Sequence, residues 1–271
     1  MSKIEHICGK HKILFDNESH KYIKDNEYVV GMTTILKYLA APALENWKIN
    51  QLTEAMQNQM KEHLSLDVVD KIIINAKATL HKKQEGVLSI GKVVHKLAEQ
   101  WLRKKKFKLP EDTVVLNCFR KFQQFWRKNK LKMIESERVL YFPRNEKKQL
   151  DHFCGTLDII AKDSKNNLWI IDIKTSVGFF INMIYQLHGY KLAYEEQTGK
   201  KINKMYIVRL PKTNDDFEAR EFTFQKQHQN AFLGLLACHK SQLLFNEQSR
   251  KYKEQSRLLK QRRSKTNGKS R

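Results

Sequence analysis

One stretch near the middle of the chain constrains the fold more than any other. It consists of residues 155–161 (GTLDIIA) and, after a short polar gap, residues 168–175 (LWIIDIKT). Both halves are rich in β-branched and aromatic residues, which is typical of β-strands. The gap, residues 163–167 (DSKNN), has the composition of a turn. The stretch is therefore predicted to form an antiparallel hairpin.

A turn centred on Lys165 determines which side chains of this hairpin face each other. In that register Asp158 lies directly opposite Asp172. Because side chains alternate with a period of two residues, Lys174 is predicted to share their face. The other face is predicted to carry five apolar side chains towards the core: Leu157, Ile159, Trp169, Ile171 and Ile173.

Two opposed carboxylates in an apolar hairpin need a compensating charge. Like charges at directly opposed strand positions are destabilising, and a divalent cation between Asp158 and Asp172, together with Lys174, relieves that repulsion. Oxygen ligands on a rigid hairpin suit Mg²⁺ or Mn²⁺. Such an ion activates water and holds a phosphate oxygen, while a lysine stabilises the nucleophile or developing negative charge. The pattern predicts phosphodiester hydrolysis; the simpler interpretation is a solvated hairpin with two acids and a lysine.

Two further motifs flank the hairpin. A helical segment before it carries G-x-x-x-H-x-x-x-E at residues 91–99, and a helical segment after it carries Q-x-x-x-Y at residues 186–190. With G-T-L-D and I-I-D-I-K-T in the hairpin, these motifs resemble the PD-(D/E)xK nuclease superfamily, and in particular its RecB-like exonuclease branch. The resemblance covers roughly residues 86–210.

The resemblance implies a set of active-site residues. It places His95 at the metal, together with Asp158, Asp172 and the main-chain carbonyl of Ile173. It gives Lys174 the role of aligning or activating the attacking water.

Four other residues are expected to support this site. The resemblance implies that Gln186 and Tyr190 face the site and contact the DNA strand or the lysine. Glu99 lies one helical turn after His95 and is expected to orient it or to support the site. Glu137, on the strand before the hairpin, is a candidate for a supporting or second-metal role.

The remaining patterns predict an α/β fold. We expect a mixed central β-sheet flanked by helices, with a mostly helical N-terminal elaboration, and the resemblance implies that this sheet is a restriction-endonuclease-like core. Residues 1–85 are assigned to the N-terminal β-ribbon and helical elaboration, 86–248 to the nuclease core and 249–271 to a basic C-terminal tail. The ribbon is predicted over 12–30, with Thr33 or Thr34 as the N-cap of the helix that follows.

Further elements are predicted from periodicity and turn residues. Helices are expected over 43–60, 67–83, 86–106, 112–129 and 180–197, and a long helix from 226. Strands are expected over 132–142, 203–209 and 218–224, the last at an edge of the sheet.

The charge of the chain favours a polyanionic partner. There are 51 basic and 29 acidic residues, for a net charge of +22, which points first to nucleic acid. We expect the partner to be single- or double-stranded DNA. No G-x-x-x-x-G-K-[ST] motif occurs, so a helicase or a single-strand annealing protein would be a separate chain. Residues 250–271 hold ten Lys or Arg and one acid, and are predicted to be a solvated or disordered tail that could bind phosphates.

Cysteine usage and hydropathy bear on the compartment. The four cysteines are far apart and form no C-x-x-C pair, which favours a reducing compartment. Some RecB-like nucleases hold an iron–sulfur cluster with one early cysteine and a late trio; the trio is absent, so no cluster is expected. The polar N-terminus and the lack of a long apolar run predict neither a signal peptide nor a membrane partner. The expected location is the cytoplasm of a bacterial or phage-infected cell, or the nucleus of a eukaryotic one.

Together these patterns predict a metal-dependent deoxyribonuclease of the phage or mobile-element type. The expected reaction is exonucleolytic cleavage of DNA in processing, recombination or repair, with Mg²⁺ or Mn²⁺ as cofactor. Two alternatives stay open: a structure-selective endonuclease or resolvase on the same core, and a catalytically inert nucleic-acid-binding protein. The presence of Asp158, Asp172 and Lys174 weighs against the inert protein, and Gln186 with Tyr190 favours the RecB-like branch.

Overall fold

Two β-sheets and six helices make up the described part of the chain, which is an α/β protein. The structure is a computed structural model that describes residues 3–39, 42–58, 66–143, 151–211 and 217–267. Predictions that fall on 40–41, 59–65, 144–150, 212–216 and 268–271 lie outside the described residues. No described helix combines the length and the apolar character that crossing a membrane requires.

The N-terminal sheet is an antiparallel meander of four strands. In sheet order these are β1 (Lys3–Cys8), β2 (His11–Asp16), β3 (Lys21–Lys24) and β4 (Glu27–Val29). The ribbon predicted over 12–30 is confirmed, and β1 extends it by a strand that the sequence analysis did not predict.

The first helix, α1 (Met32–Leu36), begins earlier than predicted. Its N-cap is Gly31, with no side-chain cap hydrogen bond, so the prediction of Thr33 or Thr34 is wrong. The reason is a tertiary contact. The Cys154 N–H donates to the Val30 carbonyl (2.9 Å), and Gly31 bridges to Cys154, so the chain leaves the sheet and enters the helix at the buried Met32.

Two long helices follow, α2 (Pro42–Gln57) and α3 (Leu66–Leu102). The sequence predicted separate helices over 67–83 and 86–106, whereas α3 is one continuous helix of 37 residues that runs through the expected boundary at 85/86. A glycine such as Gly86 weakens a helix interior by about 1 kcal/mol but does not by itself end it.

The central sheet has five strands, and its order follows the chain. These are β5 (Lys132–Phe142), β6 (Phe153–Lys162), β7 (Leu168–Lys174), β8 (Lys204–Arg209) and β9 (Glu218–Glu221). Pairing is antiparallel except between β7 and β8, which are parallel and joined by α5 (Ile181–Thr198). The sheet is therefore mixed, as expected, with β9 at its edge.

Helices cover both faces of this sheet. One face packs against α3 and α4 (Thr113–Lys128) in a core that includes Val94 and Phe122. The other packs against α1, α5 and α6 (Lys226–Asn267) in a core that includes Ile35, Leu187 and Phe232. The central hairpin lies between the two cores.

The predicted register of the hairpin is confirmed, but one side chain lies on the other face. Ile159 pairs with Ile171 and Ala161 with Trp169, which is the register of a turn centred on Lys165. Leu157, however, packs in the core of Ile160 and Ile170, not with Ile159 and Trp169.

The change of face at Leu157 lies opposite an unusual position of β5. The β5–β6 ladder pairs Ser136 with Ile159 and Arg138 with Leu157, and leaves out the position between them. There Glu137 has a φ of 52°, although the register is the same on both sides of it; the shift of register in this ladder lies between Met133 and Glu135.

The C-terminal segment is also different from its prediction. α6 continues to Asn267, so residues 250–267 are helical. Of the two predicted descriptions, the disordered tail is wrong, and the solvated one agrees with the described side chains. Phe232 and Leu236 pack in the core, whereas every described side chain from Lys240 to Leu259 is exposed or half-buried.

Candidate metal-binding active site

The candidate site forms where β6 and β7 stop pairing. Beyond the Ile159–Ile171 pair, the Ile173 N–H donates to Asp158 Oδ2 (2.8 Å). The side chain of Asp158 thus accepts a hydrogen bond that a main-chain carbonyl would accept in a continued ladder. Because the N–H and C=O of one strand residue point to the same edge, the Ile173 carbonyl also faces this gap.

α3 brings His95 to Asp158. The distance from His95 Nδ1 to Asp158 Oδ2 is 3.5 Å. Burial by itself would lower the pKa of His95, but the Asp158 carboxylate outweighs it and raises the pKa to about 9. The same attraction keeps the pKa of Asp158 below its usual value despite burial.

Asp172 and Lys174 form a second pair on β7. Asp172 is 1% exposed, and its Oδ2 lies 2.6 Å from Lys174 Nζ. Its Oδ1 has no hydrogen-bond partner in the part of the chain that the structure describes. Burial raises the pKa of Asp172 to about 6, against the effect of the lysine. Burial also disfavours the ammonium, but Asp172 and Asp158 hold the pKa of Lys174 above its usual value.

Glu137 joins His95 and Asp158. Each of the three offers a ligand atom, and these atoms lie within 4.8 Å of one another. Burial, followed by the Asp158 charge, raises the pKa of Glu137 to about 7. Its positive φ is an uncommon conformation for a non-glycine residue, and strained residues of this kind cluster at functional sites. The sequence placed Glu137 only near the site, because nothing local signals the irregularity that turns it inward.

His95, Glu137, Asp158, Asp172 and Lys174 are called the candidate metal centre below. The donor set of His95, Glu137 and Asp158, whose ligand atoms lie within 4.8 Å of one another, fits a divalent cation: an imidazole with carboxylates suits Mn²⁺, and carboxylate oxygens suit Mg²⁺. Asp172 lies near enough to act on the charges of Asp158 and His95. The unpartnered Asp172 Oδ1 is the clearest sign, because a buried polar atom without a partner is costly.

Glu99 forms an ion pair with Arg103 rather than the expected contact with His95. The structure pairs Glu99 Oε1 with Arg103 Nε (3.1 Å), and Arg103 donates to the Ser136 side chain (2.9 Å) and carbonyl (2.7 Å). No described hydrogen bond joins Glu99 to His95. The pair instead connects α3 to the strand position just before Glu137.

Gln186 and Tyr190 lie beside the centre but in a separate hydrogen-bond network. Gln186 Nε2 donates to Tyr190 OH (2.9 Å), which donates to the Thr156 carbonyl (2.6 Å). From the N-terminal sheet, Tyr22 OH lies 2.8 Å from Thr156 Oγ1. Both α5 side chains are buried, so they hold β6 two residues before Asp158 rather than present free groups to a DNA strand. Tyr22, Thr156, Gln186 and Tyr190 are called the tyrosine network below.

The absence of a side chain at Gly155 allows α5 to pack closely against β6. A Cβ at this position would lie 2.8 Å from the Tyr190 ring and 3.0 Å from Met32 Cβ. Any larger residue would have to push Tyr190 away from Thr156.

An open groove of about 480 Å³ reaches the centre at Glu137. Its walls are β1, the end of α3 and the first part of β5, including His6, Arg103 and Arg138. Of the candidate metal centre, Glu137 is the residue that lines this groove.

Comparisons with known proteins add little to this geometry. No protein-family model and no curated protein matches the chain. Among solved structures it is similar to one described as "Crystal structure of SSO0001", at 15% identity and a TM-score of 0.32, over 55% of this chain and 83% of that chain. The α/β assignment comes from the strand order and helices of the chain itself.

Proposed function

We propose that this protein is a metal-dependent deoxyribonuclease with a restriction-endonuclease-like core of the PD-(D/E)xK type, in its RecB-like branch. The observation that carries the proposal is the convergence of Asp158, Asp172 and Lys174 with His95 from a distant helix. It is the combination that the sequence motifs imply, and it includes a buried carboxylate oxygen with no partner among the described residues.

The ligands would come from three elements. His95 on α3, Asp158 on β6, and Asp172 with the Ile173 carbonyl on β7 would hold Mg²⁺ or Mn²⁺, and Glu137 lies close enough to extend the set. A cation bound there would supply a Lewis acid for the phosphate and a water of lowered pKa.

Lys174 is the residue that we expect to act on the reacting groups. It is an ammonium held 2.6 Å from Asp172 in a buried setting, where a charge acts more strongly than in water. It can hydrogen-bond the attacking water or stabilise the negative charge that develops on the phosphate. Asp158 is oriented for its role by the Ile173 N–H.

DNA is the proposed substrate because the chain carries a net charge of +22. Contacts from Lys and Arg to phosphates dominate nucleic-acid affinity but carry no sequence information. We therefore propose sequence-insensitive exonucleolytic cleavage, in recombination or repair. Any unwinding or annealing activity would come from a separate protein.

The test is cleavage of two matched substrates: an end-labelled linear duplex and a covalently closed circle of the same sequence. Each is incubated with the protein in EDTA, Mg²⁺ or Mn²⁺. We expect the linear DNA to be degraded only with metal and the circle to stay intact. Rapid cutting of the circle would replace the exonuclease with the structure-selective endonuclease. Binding without cleavage of either substrate would indicate the inert nucleic-acid-binding protein.

A further inference from the structure

The C-terminal half of α6 projects from the rest of the protein. Phe232 and Leu236 are buried in the first part of the helix, but no side chain between Lys240 and Leu259 is buried. At about 1.5 Å per residue, the part from Lys240 to Asn267 is on the order of 40 Å long. An isolated helix gains little stability from propensity alone and usually depends on packing. This half of α6 is therefore expected to be stabilised by a binding partner.

The charge of this half-helix is strongly positive. Residues 250–267 include eight Lys or Arg and one acid. Arg250, Lys253 and Arg257 are spaced by three and four residues, so they share one face of the helix; they are called the α6 cationic stripe. Glu254 lies on the same face as the stripe. Glu247 pairs with the neighbouring Lys251 (2.7 Å), and the hydrogen bond and charge of Lys251, followed by the charge of Arg250, lower the pKa of Glu247.

The apolar residues of the same segment do not explain the helix. Six large apolar residues of this segment are exposed: Leu243, Leu244, Phe245, Tyr252, Leu258 and Leu259. They lie at the two ends of the segment, and Tyr252 alone stands between residues 246 and 257, so they do not form the continuous stripe of a membrane-surface helix or a packed helix. A second copy of this chain would bring two strongly cationic segments together, and like charges at close positions are destabilising.

We propose that the α6 cationic stripe binds the phosphate backbone of duplex nucleic acid outside the candidate metal centre. Charge complementarity is the reason: duplex DNA carries one negative charge per about 1.7 Å of its axis, and its counterions are released when cations of a protein replace them. The helix thereby holds the substrate on the protein independently of the hydrolytic step. The identity of this nucleic acid as the enzyme's substrate rests on the proposed function; the binding itself does not.

The test compares two full-length variants that lose the same charge. The stripe variant is Arg250→Gln, Lys253→Gln and Arg257→Gln. The control is Lys104→Gln, Lys105→Gln and Lys106→Gln, which removes three exposed cations after α3. Glutamine is a good helix former, and circular dichroism checks that α6 keeps its helix.

The readout is fluorescence anisotropy of a labelled duplex in EDTA across a series of salt concentrations. For the stripe variant we expect the slope of log K against log salt to become shallower by about 0.9 per lost contact, or about 2.7 for three contacts. Its affinity at moderate salt should fall about tenfold or more, while the control keeps a slope close to that of the unmodified protein.

Three results would overturn the proposal. The first is a stripe variant with an unchanged slope, and the second is a control that loses as much slope as the stripe variant. The third comes from the same two variants tested for co-sedimentation with vesicles of anionic phospholipid: a stripe variant that loses vesicle binding and keeps its duplex slope. Because no metal is present, a protein without any nuclease activity would still give the expected slopes. Failure of the proposed function and failure of this inference are therefore distinguishable.

Discussion

Two groups of polar side chains meet at β6, and they differ in how completely they are satisfied. In the tyrosine network each group has a partner, and the chain Gln186–Tyr190–Thr156 has donor–acceptor distances of 2.9 and 2.6 Å. In the candidate metal centre, Asp172 Oδ1 has no described partner and Glu137 is held at a φ of 52°. The pKa values of both acids are raised by burial.

The difference distinguishes polar groups that stabilise the fold from polar groups that are left available for function. Buried polar groups in folded proteins are normally hydrogen-bonded, because an unpartnered one costs about 1–3 kcal/mol. The tyrosine network follows that rule and stabilises the strand. The candidate metal centre departs from it, and such departures persist where function requires them. The substitutions below should separate the two groups.

The largest expected effect is on cleavage. Asp172→Ala or Lys174→Ala should lower the rate by at least about 10²–10³-fold, because each removes a charge that acts at the reacting phosphate. DNA affinity should stay near that of the unmodified protein, since phosphate contacts on the basic surface dominate it. Lys165→Ala, in the exposed turn of the same hairpin, is the control. Full activity in either site variant would show that the substituted residue has no role in cleavage.

The next effect is on the metal requirement. His95→Ala should shift the Mn²⁺ concentration for half-maximal activity upward by at least about tenfold, because a ligand and its contact to Asp158 are lost. The exposed His20→Ala is the matched control. An identical metal titration for His95→Ala would make His95 an ordinary core histidine.

A smaller effect, of opposite sign, is expected on stability. The folded pKa of Asp172 is about 6, above its value in the unfolded chain. The metal-free protein therefore loses stability as the pH rises from the unfolded pKa towards 6, and the loss is complete above 6. Asp172→Asn should raise the free energy of unfolding at pH 8 by about 1–3 kcal/mol. Urea denaturation at pH 8 and pH 4.5 measures this, and the gain should shrink at the lower pH. A loss of stability at pH 8 would contradict the description of Asp172 as a strained ligand.

The smallest effects belong to the tyrosine network. Tyr190→Phe should lower the free energy of unfolding by about 1–3 kcal/mol, since it leaves the buried Thr156 carbonyl without its donor, and Tyr22→Phe by about 1 kcal/mol. The metal titration of both variants should match that of the unmodified protein. A shifted titration in Tyr190→Phe would show that the two groups are not separate.

Local patterns predicted much of this molecule. The hairpin register, the N-terminal ribbon and the span of β5 follow from alternation and turn residues, which act over a few positions. The same patterns predicted that Asp158, Asp172 and Lys174 lie close together. The predicted ladder pair of Asp158 with Asp172 does not form, because the β6–β7 pairing ends at Ile159 and Ile171 and Asp158 accepts from the Ile173 N–H.

The errors share a physical origin in contacts between distant segments. Leu157 changes face opposite Glu137, which has a positive φ, and the position opposite it belongs to another strand. The N-cap at Gly31 depends on a bridge to Cys154. The partner of Tyr190, the Thr156 carbonyl, is a main-chain atom, and no side-chain motif can point to it.

The most direct test of the central claim is the position of a bound metal. Crystals of the protein saturated with Mn²⁺ would be measured at a wavelength where manganese scatters anomalously. The account predicts an anomalous peak within bonding distance of His95, Asp158 and Asp172. A protein that degrades linear DNA with Mn²⁺ but shows no peak there, or shows one only elsewhere, would contradict it.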